Sequence, residues 1–181
     1  MIIDSKDCQA KGLNYTIRSA VTGDAKSLSD LRLIIDGETE NMDRESGEAY
    51  IDVPGFERII EEDTRKASNL FLVAVVRDAI VGFSRCQGFE LNRFSHKAEF
   101  GVCVLKDYWG YGIGQNLLHE STSWADANGI HKIALSVVET NDKAIRLYQK
   151  HGFEIEGILK KDRLHADGMY YNTVIMGRVI D

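Results

Sequence analysis

Residues 104–114 read Val104-Leu105-Lys106-Asp107-Tyr108-Trp109-Gly110-Tyr111-Gly112-Ile113-Gly114. Before this stretch, His96 to Val104 (HKAEFGVCV) has the make-up of a strand. After it, Ile113, Leu117, Ser121, Trp124 and Ala125 recur on one face of a helix that Gly129 closes. The glycines therefore sit in a strand-to-helix turn. Three glycines at alternate positions allow a tight turn and leave backbone N–H groups uncovered by side chains. At a helix N-terminus such donors, with the helix dipole, suit a phosphate or pyrophosphate. No Gly-Lys-Ser/Thr follows, so this is not a Walker loop. The GxGxG spacing also departs from the GxGxxG dinucleotide fingerprint, which weakens a nicotinamide reading.

Working outward, Leu70 to Val76 and Ile80 to Phe89 are apolar runs parted by Arg77-Asp78. With 96–104 they form an expected antiparallel meander. Upstream, Tyr15 and Ile17 alternate with polar residues as a short strand, and a helix carries Leu28, Leu31, Ile34 and Ile35 inward. Gly37 to Tyr50 is polar and acid-rich, so a loop or broken helix is expected there. Pro54 opens a further helix with Phe56, Ile59 and Ile60 on its buried face. Downstream come a buried strand at Ile133–Val138 and a short helix at Asn141–His151. A closing hairpin of 153–159 and 170–179 turns near Asp167-Gly168. The expectation is an α+β domain over residues 14–181, preceded by a polar tail at 1–13. Its mixed, mostly antiparallel sheet would have six to seven strands and about four flanking helices.

The chain has 181 residues, 44% hydrophobic and 28% charged, with a formal net charge of -6. Such a composition forms a globular core without a disulfide or metal staple. The acidic balance speaks against nucleic acid as a partner. Three scattered cysteines, Cys8, Cys86 and Cys103, form no CxxC pair, and the five histidines show no ligand spacing, so no metal is expected. No leader or membrane-spanning run is visible, and a cytoplasmic protein with free thiols is the expectation.

The turn at 104–114 and the segment Asn141–Phe153 (NDKAIRLYQKHGF) together resemble motifs A and B of the GNAT superfamily of acyl-CoA-dependent N-acetyltransferases. The similarity extends over the element order from Tyr15 to Val179, and it is greatest to the branch of ribosomal-protein and amino-acid N-acetyltransferases, in which Trp is frequent at the position of Trp109. This resemblance implies acetyl-CoA as co-substrate, no metal, and direct attack by a primary amine in a ternary complex. The acceptor would be a small molecule, polyamine, amino acid or peptide N-terminus.

Residue roles follow from the same resemblance. Val102, Cys103 and Val104 match the strand that pairs with the pantetheine arm, where a backbone N–H would polarise the thioester carbonyl. Gly110, Gly112, Gly114 and Gln115 match the pyrophosphate loop. Trp109 lies within it, and a ring packed beneath the loop is the plainer reading of that side chain. Asn141 matches a residue touching the acyl-CoA arm, with helix capping as its other use. Tyr148 matches the general acid, whose proton the departing thiolate takes. Glu99, a lone acid between Ala98 and Phe100, is the candidate base; pairing with Lys97, Arg85 or Arg93 is the alternative. Glu38, in the acidic run Glu38–Asn41 where this fold places its acceptor-binding loop, is the candidate substrate residue for a cationic group, with a solvated loop face as the equal alternative. The terminal strand (Tyr170, Tyr171, Val174, Ile175, Met176) suits either a homodimer contact or core packing. A module that binds acyl-CoA without chemistry would share the loop but need neither Tyr148 nor Glu99.

Overall fold

The computed structural model describes residues 1–180. Eight strands among them form one sheet: β1 (Lys6–Ala10), β2 (Leu13–Ser19), β3 (Leu70–Val76), β4 (Ala79–Gly88), β5 (Lys97–Val104), β6 (Lys132–Val138), β7 (Glu154–Leu164) and β8 (Tyr170–Val179). Their order is β1-β2-β3-β4-β5-β6-β8-β7. Four helices accompany them: α1 (Ala25–Glu38), α2 (Val53–Arg65), α3 (Ile113–Ala127) and α4 (Asp142–Lys150).

The strand β3 explains why its sequence is apolar throughout rather than alternating. Leu70, Leu72, Ala74 and Val76 pack on one side with α3 and α4, while Phe71 and Val73 pack on the other with α1 and α2. A central strand covered on both faces has no solvent side to make polar. The α2 helix starts where Asp52 accepts the Gly55 N–H at 2.9 Å, with Pro54 in its first turn. Phe56 and Ile60 are buried as the periodicity predicts, whereas Ile34 of α1 is 53% exposed.

Two expectations need correction. Residues 1–13 are not a free tail: Lys6–Ala10 pairs antiparallel with 13–17, turning through Lys11 (φ 50°) and Gly12 (φ 80°). The alternation of this edge strand is weak because most of it is exposed, so periodicity did not reveal it. With β1 counted, the sheet has eight strands rather than six or seven. The terminal strand β8 is internal, between β6 and β7, with Val174 and Met176 in the core. Core packing accounts for it; the exposed edge is β7, with Ile155, Ile158 and Leu159 in solvent.

One junction shapes the molecule. All neighbouring strands are antiparallel except β5 and β6, which run parallel. Their pairing covers only Lys97–Glu99 against Lys132–Ala134. Beyond Glu99 and Ala134 the two strands part, and the sheet opens. No helix is long and apolar enough to cross a membrane.

Candidate active site

The gap between β5 and β6 is the floor of a cleft of about 1340 Å³. That exceeds the size of an ordinary small-ligand pocket and has room for two reactants. Alternation along β5 sorts its lining. Ala98, Phe100, Val102 and Val104 belong to the α3–α4 side, whereas Cys103 packs on the α1–α2 side. Glu99 and Gly101 share the parity of Cys103 and so face the α1–α2 side. The cleft thus joins the two faces of the sheet through its split.

On the α3–α4 face, the glycine turn leads directly into α3. Gly110 (φ 83°) and Gly112 (φ 77°) hold left-handed conformations that side chains disfavour. Gly112 is the N-cap, and the first amide bonded within the helix is Asn116, on the Gly112 carbonyl at 2.9 Å. The amides of Ile113, Gly114 and Gln115 therefore lack intrahelical partners and stand at the positive end of the dipole. At Gly114 a Cβ would meet nothing nearer than Val104, at 3.9 Å. That glycine is not demanded by packing; it leaves the amides open to a ligand.

Trp109 is not packed beneath the loop. It is 44% exposed, and its indole Nε1 donates to the Val104 carbonyl at 2.7 Å. This ties the turn to the end of β5. Lys11, at the tip of the β1–β2 hairpin, also lines the cleft, with its Nζ 3.8 Å from where a Cβ of Gly110 would lie. Lys11 is not legible in the sequence, because residues 1–13 read there as a polar tail.

Asn141 caps α4, its Oδ1 accepting the Ala144 N–H at 3.3 Å. Its side-chain amide nitrogen has no partner among the described residues, so capping and contact with a ligand are compatible in one side chain. Tyr148 follows on the same helix, 8% exposed, its ring edge-on to Phe100 at 6.4 Å and tilted against Phe153 at 5.8 Å. Burial pushes its phenol up to about 12. The hydroxyl donates to no described residue, and the side chain lines the cleft.

On the α1–α2 face, Glu99 is exposed to the cleft. The alternative pairings expected for it do not form. Arg85 is held by the buried Asp63 through Nε at 2.5 Å and Nη2 at 2.9 Å, and Lys97 lies over the rings of Phe89 and Phe94. Glu99 has no ion-pair partner among the described residues. Gly101 follows two residues on; a Cβ there would meet nothing within 4 Å, which reserves space on this face. A glycine inside an apolar strand was the available signal for it.

Glu38 is the last residue of α1, next to Thr39 and Asn41 of the cleft wall. Its Oε2 accepts the Lys106 backbone N–H at 2.8 Å, joining the end of α1 to the turn after β5 outside the cleft. The loop after it is fastened to the β7–β8 hairpin, by Asp43 to Arg163 at 2.6 Å and Glu40 to His165 at 2.8 Å. A further side chain, Arg32 of α1, reaches the cleft from below this loop. Its Nε donates to the buried Asp36 at 2.8 Å, and its guanidinium lies against Cys103. Burial pushes the Cys103 thiol up to about 12 despite that cation, so it stays protonated.

The split sheet thus sets an amide-lined turn on the α3–α4 face of the cleft, with the same cleft opening on the α1–α2 face. The chain belongs to the acetyltransferase (GNAT) family, whose model matches residues 36–153. It is 36% identical over 109 residues to an L-amino acid N-acetyltransferase of Escherichia coli strain K12, covering 60% of this chain and 67% of the relative. It is 30% identical over 88 residues to a spermidine N(1)-acetyltransferase of the same strain, covering 48% of this chain and about half (47%) of that relative. Among solved structures, a GNAT-family acetyltransferase from Streptococcus pneumoniae superposes with a TM-score of 0.88 at 28% identity, over 92% of this chain and 99% of that one. An acetyltransferase from Salmonella typhimurium, determined with acetyl-CoA, shares the fold at a TM-score of 0.81 and 19% identity, covering 92% of this chain and 94% of that one.

Proposed function

We propose that this protein transfers the acetyl group of acetyl-CoA directly to a primary amine held on the α1–α2 face of the cleft. The observation that carries the reading is the arrangement of Tyr148 on α4 and Glu99 on β5, on opposite faces of the split sheet and both lining the same cleft. Acetyl-CoA supplies the activated acyl group. The free amides of Ile113, Gly114 and Gln115 would hold its pyrophosphate, with Lys11 adding a positive charge beside Gly110. Gly110 and Gly112 shape that turn, and Trp109 braces it against Val104. The unpaired edge of β5 at Val102–Val104 offers backbone groups to the extended arm as an added strand would. Asn141 contributes its free amide N–H from the start of α4.

Glu99 acts as the base on the acceptor side. It lies three residues before Val102, about 10 Å along the strand, so an intervening water relays the proton from the ammonium. Tyr148 holds a proton for the departing thiolate on the cofactor side. Cys103, protonated and buried, takes no part as a nucleophile.

The similarity to amino-acid and spermidine acetyltransferases places amines of both kinds among the acceptors to try, together with peptide N-termini such as those the ribosomal-protein-alanine N-acetyltransferase of Brucella melitensis is named for. Incubation with acetyl-CoA and such a panel, reading released thiol, tests the reading. Amine-dependent release supports it; acetyl-CoA binding without release would favour a sensing module. The surroundings that suit it are a reducing cytoplasm, given three unpaired cysteines. A second copy would meet this one along β7, where Ile155, Ile158 and Leu159 are exposed, and light scattering would read that pairing.

A further inference from the structure

The chain carries a net charge of -6, yet the cleft is lined by seven basic side chains against three acidic ones, Asp43, Glu99 and Glu156. Two of those acids are already neutralised: Asp43 by Arg163 at 2.6 Å and Glu156 by Lys132 at 2.6 Å. Only Glu99 remains free among the described residues. A polyamine needs several unpaired carboxylates spaced along its length, and this cleft does not provide them.

Arg32 offers the opposite preference. The Asp36 carboxylate, 4% exposed, takes only its Nε, and the two terminal nitrogens of the guanidinium, set beside the weakly accepting Cys103 thiol, meet no oxygen acceptor among the described residues. One buried acid thus fixes the orientation of the plane while its other edge stays available. That free edge is the fork that matches a carboxylate with two parallel hydrogen bonds. Its immediate neighbour is Cys103 on β5, beside the strand segment at which the acyl group would be presented. The wall beside it includes Phe83, whose ring lies against both Phe56 and Phe71.

Resting on the acetyl-transfer reading above, we propose that Arg32 is the acceptor-selecting residue, and that the acceptor is an amine bearing a carboxylate and an apolar side chain, an α-amino acid in its free form. The guanidinium grips the carboxylate, the amino group is left toward β5, and the side chain lies on the phenylalanine wall. Gly101 keeps this space open.

Titration calorimetry on the full chain saturated with CoA tests this, using leucine, methionine and phenylalanine, the primary amide of each, and spermidine. The expected result is that at least one free acid binds ten- to a hundredfold more tightly than its amide, with spermidine weaker than that acid. In Arg32→Lys, which keeps a positive charge against Asp36 but loses the fork, the acid-over-amide preference should shrink to a few-fold. The paired variant Arg32→Gln/Asp36→Asn, which leaves no uncompensated buried charge, should abolish it. Equal binding of acid and amide in the unmodified protein, no binding of any free acid, or preference for spermidine would overturn the assignment. Turnover is scored separately. Acid-selective binding without acetylation would overturn the transfer reading while leaving Arg32 as the carboxylate site, and acetylation of spermidine alone would do the reverse.

Discussion

Tyr148 and Glu99 lie on opposite faces of the sheet, though each is one step from Phe100: Tyr148 packs edge-on against its ring, and Glu99 precedes it on β5. Strand alternation produces this division, and the split from β6 makes it useful, because a cleft can then pass between the two faces. Proton removal and proton supply are assigned to separate sides, so neither group has to neutralise the other.

Replacing Tyr148 by Phe removes only the hydroxyl from a ring held by Phe100 and Phe153. We expect kcat to fall about 10²–10⁴-fold while the KM for acetyl-CoA stays within a factor of two. Because burial pushes this phenol up to about 12, the unmodified enzyme should show no alkaline loss of kcat from Tyr148 below about pH 11. Steady-state kinetics against pH check both points.

For Glu99→Gln the expected signature is different. The acceptor amine loses its base, so kcat/KM for the amine should drop about 10²-fold near neutrality. The loss should then be recovered as pH rises, because a growing fraction of amine arrives already deprotonated. A pH profile of kcat/KM with unit slope, absent from Tyr148→Phe, separates the two roles.

Gly101→Val tests the space reserved on the acceptor face. A Cβ there meets nothing within 4 Å, so the fold and acetyl-CoA affinity should persist while the acceptor KM rises at least tenfold. Gly82→Val provides the contrast, since its Cβ would lie 2.8 Å from the Cys103 carbonyl; that variant should lose stability itself. Thermal melting, acetyl-CoA titration and acceptor kinetics distinguish them.

Stability should decline in alkali through three buried groups. Cys86 and Cys103 ionise near 9 when unfolded and are pushed to about 12 by burial; Tyr148 moves from 10 to about 12. Between these values the unfolded chain has released protons that the folded chain retains. Stability is thus fully present below pH 9 and falls as pH rises toward 12, by up to about 1.4 kcal/mol per pH unit for each group. Urea midpoints should show a shallower decline above pH 9 in the Cys86→Ala/Cys103→Ala variant than in the unmodified protein.

Much of this was legible in the sequence where local chemistry and tertiary structure agree. The run Leu70–Val76 became a strand with the expected ends, and the glycine turn introduced α3 at Ile113 as spacing required. What stayed hidden depended on partners distant in the chain. Lys6–Ala10 becomes a strand only by pairing with β2, and Glu38 meets a backbone amide 68 residues away. Nothing in the sequence marks Arg32, because the direction of its guanidinium depends on Asp36 one turn later and on Cys103 of β5 packed beside it. The split between β5 and β6 has no sequence signature, since pairing there stops through sheet geometry rather than at a proline or bulge.

The most direct test of the central claim is a single turnover with enzyme in excess over acetyl-labelled acetyl-CoA, quenched at intervals, with and without an accepted amine. Direct transfer across the split sheet predicts that label passes to the amine at the rate thiol is released and never resides on protein. Label found on Cys103 or any other residue before it reaches the amine, or thiol release that the amine does not accelerate, would contradict it.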